Sequence, residues 1–344
     1  MQICEKIINR KTEVNLKTQK QVLMIGLVIC LISFLSISFF GCSKKEPDVL
    51  KIGGHTTIFG TVLEIGEEMG IFEKHGLNAT VTPVRSSKES MAALAGGSMD
   101  VVLGTAAAGN LNLMANGNLF IIADAGSIIP QLVIRKDESK KIKSLEELKG
   151  KSVSVPREGS ASWYAMYRIL NSVNMEIADI DPKYLRQRET VAAFEAKNID
   201  AAILSEPYTT IAVEKGIVSY YNVEEISKLF PDNGQQYGIL LISDKMLNKP
   251  EVLKKFLSAY LESVKIYNRA RNKQQPEFDD VSKIINDFTE VDIETIKNAQ
   301  WPYVAIDGKP NIEYLEEMQK TFVELKLVPE PVDLSKVIKL EFLK

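Results

Sequence analysis

The stretch TVAAFEAKNIDAAILSEPY, residues 190–208, decides the fold class. Thr190–Ala196 reads as a short helix. Ile199–Leu204 reads as a strand buried on both sides, because Ala201-Ala202-Ile203-Leu204 offers no polar face. A loop with Ser205, Glu206 and Pro207 follows, then a second helix at Ile211–Lys215. A fully apolar strand flanked by helices is the signature of an α/β unit.

The same rhythm runs outward in both directions. On the N-terminal side, strands are expected at Val49–Gly53, Ala79–Val84, Val101–Leu103, Leu119–Ala123 and Ser152–Val155, and a short one at Lys183–Leu185. Helices are expected between them: Thr61–Lys74, ended by Gly76 as a left-handed cap; a helix opened by the capping box Ser86–Glu89; Thr105–Met114; and Ser160–Val173. A second capping box, Ser144–Glu147, starts a short helix ended by Gly150. After a strand from Gly238, helices dominate. Pro250–Arg269 carries one apolar stripe through Leu253, Phe256, Leu257, Tyr260, Val264 and Tyr267. The expected class is α/β with mostly parallel strands.

In such sheets ligands bind beyond the carboxyl ends of the strands, near helix N-termini. Four loops qualify. Thr56 and Thr57, with Phe59, follow the first strand; Thr105 follows the third; Gly159, Ser160, Ala161 and Ser162 precede a helix; Glu206 and Tyr208 follow the apolar strand. Gly159 lets backbone approach a solute, and the free N–H groups of the next helix favour an anion. Each loop also has a plain structural reading: an N-cap at Ser160, helix–sheet packing at Thr105, a turn or staple at Thr57 and Phe59, a rim salt bridge at Glu206. Trp301–Pro302–Tyr303 lines a cleft or meets a partner on the functional reading, while a core position is expected for Trp301.

Composition narrows the function classes. Residues 1–41 hold five of the 42 Lys/Arg and two of the 45 Asp/Glu, so the remainder carries a net charge near −6. That is no footprint for nucleic acid. The three cysteines are Cys4, Cys30 and Cys42, and the two histidines are His55 and His75. No metal site, no cofactor and no catalytic residue is expected from this set.

Cys42 supplies an address. Five basic residues, Lys6, Arg10, Lys11, Lys17 and Lys20, precede the uncharged run Val22–Phe40, and Gly41 and Cys42 follow. This is the order of a secretory signal peptide. A Cys directly after a small residue resembles a bacterial lipobox, although Phe39 and Phe40 stand where a Leu and a small residue are usual. We expect a lipoprotein signal peptide at 1–41, a lipidated tether at 42–48, and a globular part held outside the cytoplasm by lipid on Cys42. An uncleaved transmembrane helix or a plain signal peptide is the alternative, and an uncleaved helix leaves the bulk of the chain outside as well.

Five stretches carry a family resemblance: Glu67–Leu77, Ala92–Val101, Ser144–Lys151, Ala193–Ala202 and Glu206–Pro207. Their order and spacing resemble the nitrate/alkanesulfonate/taurine and thiamine-pyrimidine-precursor binding proteins of ABC importers, over about residues 50–340. The resemblance implies the two-lobe periplasmic-binding-protein fold (type II), with ligand in the cleft. Lobe 1 would be 48–133 plus 240–344 and lobe 2 134–239, with crossovers near Ile134–Lys136 and Tyr237–Ile239. It places the ligand contacts at Thr56, Thr57, Thr105, Gly159–Ser162 and Glu206. Where many sulfonate-type relatives have Trp-Asp-Pro, this chain has Ser205–Glu206–Pro207, so an aromatic contact falls to Phe59, Trp163 or Tyr208. The implied ligand is a sulfonate- or nitrate-like anion, a zwitterion or an aminopyrimidine. The implied partner is an ABC permease, and the protein is expected to be a monomer. A ligand sensor without an importer and a pyrimidine-precursor synthase-like enzyme are the competing functions.

Overall fold

The structure, a computed structural model, describes residues 49–84 and 87–343. The expected signal peptide, the tether with Cys42, and Ser86 of the first capping box lie outside the described residues.

Two five-stranded sheets organise the chain. The first is built from β1 (Leu50–His55), β2 (Ala79–Val84), β3 (Val101–Thr105), β4 (Phe120–Ile128) and β10 (Gln235–Ile242), in the order β2-β1-β3-β10-β4. The second holds β5 (Gln131–Arg135), β6 (Ser152–Val155), β7 (Asp181–Tyr184), β8 (Ala201–Leu204) and β9 (Val218–Tyr220), in the order β7-β6-β8-β5-β9. Strands linked by helical crossovers, β1–β2, β1–β3, β6–β7 and β6–β8, pair in parallel. The strands that enter from the other sheet run against their neighbours: β10 against β3 and β4, and β5 against β8 and β9. Both sheets are therefore mixed, not mostly parallel, and the fold is a two-lobed α/β architecture.

Strand pairing fixes where the chain changes sheet. Gln131–Ile134 pair residue for residue with Leu204–Ala201, and Gln235–Ile242 pair with Ile128–Phe120. The crossings thus lie at Ile129–Pro130 and between Tyr220 and Gln235. That is a few residues N-terminal to the expected Ile134–Lys136 and Tyr237–Ile239. Ladder hydrogen bonds decide this, since each strand must satisfy its backbone polar groups beside a partner.

The helices that matter for the site are α1 (Ala108–Ala115), α2 (Ala161–Asn171), α3 (Tyr208–Glu214), α4 (Pro250–Arg271), α5 (Ile293–Asn298) and α6 (Ile312–Glu324). The helix expected from Thr105 starts three residues later. Thr105 instead completes β3, opposite Gly238. Ser160 accepts the Trp163 N–H at 3.2 Å and so caps α2, and the Ser144–Glu147 box forms as read. The stripe on α4 is buried from Leu253 to Tyr267.

One apolar core packs α4 onto the first sheet, through Phe256, Tyr260, Ile52 and Leu240. A second core runs through both sheets: Val102 and Ile239 of the first, Val155 and Ile203 of the second, with Trp163 and Tyr164 of α2. Helix α6 closes it. Tyr314 and Phe322 meet the Tyr164 ring edge-on at centroid distances of 5.8 and 5.6 Å. Burying each such ring is worth roughly 1.5–3 kcal/mol.

Candidate functional site

A cavity of about 90 Å³ opens where the strand ends of the two sheets face each other. Its walls include Ser127 at the end of β4, Gln131 on β5, Ser205 and Glu206 after β8, Arg271 at the end of α4, and Gln300 with Tyr303. Glu206 is at this spot because β8 is buried on both faces, so the first polar group the chain can present comes at the strand's carboxyl end.

The Glu206 carboxylate is held by backbone and amide donors. Its Oε2 accepts the Thr210 N–H at 3.1 Å, in the first turn of α3. Its Oε1 accepts two longer bonds, from Gln131 Nε2 and from the Gln300 N–H, both at 3.4 Å. Burial pushes its pKa above the usual carboxylate range, and these hydrogen bonds only partly offset that. Gln131 Nε2 also donates to Gln300 Oε1 at 3.2 Å, while Gln131 Oε1 and Ser205 Oγ are buried without a partner among the described residues. Unmade hydrogen bonds in a cavity of this size are filled by water or by a solute.

Of the residues expected to contact a ligand, Glu206 alone lines this cavity. The loops at Thr105 and Gly159 meet elsewhere. Gly159, at φ +74°, accepts the Ala108 N–H at 2.9 Å and joins the loop after β6 to the loop after β3. Beyond it, Ala161 and Ser162 are buried in the first turn of α2, and Ser162 Oγ lacks a partner. Thr56 extends the β1–β2 pairing through its N–H to Val84 O. The Thr57 hydroxyl is engaged in its own turn, where it accepts the Gly60 N–H at 3.3 Å.

The expected aromatic contacts sit largely in the core. Phe59 is 6% exposed and packs edge-on against Tyr237 at 5.5 Å, under Gly126 and Gly238. Trp163 is 3% exposed and stacks on Tyr167, with its Nε1 unpartnered. Tyr208 is half-buried at the start of α3, against the small apolar cluster of the second sheet. Trp301 takes the core position expected of it, stacked on Tyr267 and donating from Nε1 to Ile296 O, while its edge borders the cavity.

Gln131, Arg271 and Gln300 escaped the sequence reading. None sits in a strand-to-helix loop, and only the fold brings them within one cavity. The tripeptide Trp301–Pro302–Tyr303 was the one local signal of that wall.

Residues 43–277 match the model of the NMT1-like family, more than half of the chain. The chain belongs to the NMT1-like family. Gln300–Tyr303 lie beyond the matched residues. A Brucella abortus (strain 2308) protein named "Putative binding protein" is 25% identical over 291 residues, covering 83% of this chain and 89% of its own. The periplasmic aliphatic sulphonate binding protein of Escherichia coli has the same fold, with a TM-score of 0.68 and 19% identity, over 86% of this chain and 92% of that one. So does the periplasmic nitrate-binding protein of Synechocystis PCC 6803, at a TM-score of 0.70 and 15% identity, over 86% and 87%. Among the described residues no helix is long and apolar enough to cross a membrane, and no cluster of His, Cys, Asp and Glu side chains could hold a metal ion.

Proposed function

We propose that this chain is an extracytoplasmic solute-binding lipoprotein. It captures a small polar solute between its two lobes by hinge closure and delivers it to the permease of an ABC importer. The observation that carries this reading is the cavity between the sheets, which combines the half-buried Glu206 carboxylate with unpartnered Gln131 Oε1 and Ser205 Oγ. The binding proteins among its relatives and fold neighbours support it. In the open form the Gly159–Ala108 bond parts, so that Thr105 and Gly159–Ser162 face solvent and admit the solute; closing restores it. Binding then favours the closed state by its extra contacts, with no covalent step. Micromolar capture corresponds to about 8 kcal/mol.

A thermal-shift screen against sulfonates, nitrate, amino acids and aminopyrimidines tests the reading, because a solute that binds only the folded state raises its melting temperature. A solute that stabilises the protein and is recovered unchanged supports capture. A flat screen, or chemical conversion of the solute, refutes it. The anchor has its own check: Cys42→Ser is expected to release the protein from the membrane fraction.

A further inference from the structure

Residues 293–324 run across the junction of the two sheets and touch both. Their middle is fixed to the first sheet, on β4 and β10, the strands that lead to and from the second sheet. Ala305 N donates to Asp124 Oδ2, Asp124 N to Gly308 O and Ser127 N to Tyr303 O, each at 2.7 Å. Asn311 N donates to Gln236 Oε1, also at 2.7 Å, and the Tyr314 hydroxyl to Gln235 Oε1 at 3.1 Å. Asp124, Gln235 and Gln236 are all buried.

The two ends hold helices of the second sheet. On one flank Glu214, the last residue of α3, accepts from Asn298 Nδ2 at 2.8 Å and from the Thr295 hydroxyl at 3.2 Å, both on α5. On the other flank Arg168 of α2 pairs with Glu317 of α6 and lies over the Tyr314 ring, 5.6 Å from its centroid. The Tyr164 ring is enclosed between Tyr314 and Phe322 beside it. Exposure separates the ends from the middle. Glu214, Asn298 and Glu317 are exposed, so water replaces their bonds when they part. Breaking the middle would instead orphan buried donors and a buried carboxylate, which costs far more. The segment therefore stays with the first sheet, and any separation of the two sheets runs through its ends.

We infer that residues 293–324 form a saddle that clasps α2 and α3 and keeps the protein closed before any solute arrives. Every contact at its ends is made by the chain itself: the Glu214 hydrogen bonds, the Arg168–Glu317 pair and the enclosed Tyr164 ring. Opening forfeits them and exposes the ring to water. This rests on the hinge-closure reading and adds its regulation. The resting state is closed, and a solute enters at a rate set by release of the two clasps.

The seam between the sheets supplies the reporter. The Ala108 N–H donates to Gly159 O across it, so exchange of that amide with solvent deuterium follows the open fraction. Exchange is measured on the full chain without solute, with the amide of Leu103, buried in β3, as the gauge of global unfolding. Glu214→Ala and Glu317→Ala are each expected to speed Ala108 exchange about two- to fivefold, and together roughly tenfold, while Leu103 is unchanged. A variant that merely weakened the fold would speed both amides alike. Glu317→Gln, which removes the charge and keeps the shape, serves if the Ala variant does not fold. In small-angle scattering the double variant is expected to have a larger radius of gyration than the wild-type chain. Wild-type exchange at Ala108 in the double variant overturns the inference. So does equal acceleration at Leu103, or a double variant no larger than wild type. Those outcomes leave solute capture standing, because the thermal-shift screen decides it separately.

Discussion

Gly159→Ala separates two contributions that one residue makes. Gly159 sits at φ +74°, and a Cβ there would lie 3.1 Å from the Cβ of Ala108. The left-handed backbone costs an L-residue roughly 1–2 kcal/mol wherever the loop stands. The Cβ contact acts only when the two loops meet, and it pushes apart the Gly159 O···H–N Ala108 bond of 2.9 Å. Such a bond is worth about 1 kcal/mol net. The variant is therefore expected to lose about 2–3 kcal/mol in urea unfolding, and its Ala108 amide to exchange hydrogen about fivefold faster, the kinetic image of that 1 kcal/mol. Adding Ala108→Gly removes the Cβ partner. The double variant is expected to recover Ala108 protection but not the backbone cost, with Ala108→Gly alone as the reference for the cycle. Wild-type exchange at Ala108 in Gly159→Ala, or failure of the double variant to regain protection, would refute this account of how the loops join.

Three further outcomes follow from the packing and the charges. The Glu64 pKa is raised to about 7 by burial and by the neighbouring Glu67 and Glu68 carboxylates, and its Oε2 lacks a partner. A carboxyl whose folded pKa is raised destabilises the fold as pH climbs from 4.5 to 7, so Glu64→Gln is expected to gain stability at pH 8 and none at pH 4. The full shift would convert to roughly 3 kcal/mol, but Glu64 is half-exposed and screened, so about 1 kcal/mol should appear in urea melts. Trp301→Ala opens a hole between Tyr267 and Phe278 and should cost about 3–5 kcal/mol by denaturant melting. Asp124 is buried and accepts from Ala305 N, Gln236 Nε2 and Gly126 N, so Asp124→Ala orphans three donors and should cost about 3 kcal/mol or more in the same assay.

The legible parts were those with a local pattern. Ala201–Leu204 has no polar face and is a central strand; the α4 stripe is buried as spaced; Ser160 caps the helix it precedes. The crossings were displaced because Gln131 and Gln235 carry no signal of which strand they will pair with. That choice is made by Leu204 and Ile128, more than 70 and 100 residues away in sequence. Phe59 and Trp163 illustrate a second blind spot. An aromatic side chain after a strand reads the same whether it meets a solute or a core, and here the close approach of Gly126 and Gly238 settles Phe59 inward. The cavity itself depends on Gln131, Arg271 and Gln300, whose roles exist only once two sheets and a C-terminal wall are assembled.

The placement of β10 also sets an order of assembly. All strands of the second sheet lie between residues 131 and 220, an unbroken stretch that can pair as soon as it is made. The first sheet cannot close so early, because β10 sits between β3 and β4 and ends only at Ile242. At about 5–20 residues per second, the ribosome takes about 6 to 23 seconds to deliver the 114 residues from the end of β4 at 128 to the end of β10 at 242. For that interval β3 and β4 have open edges, and a newborn chain exposes them to other strands.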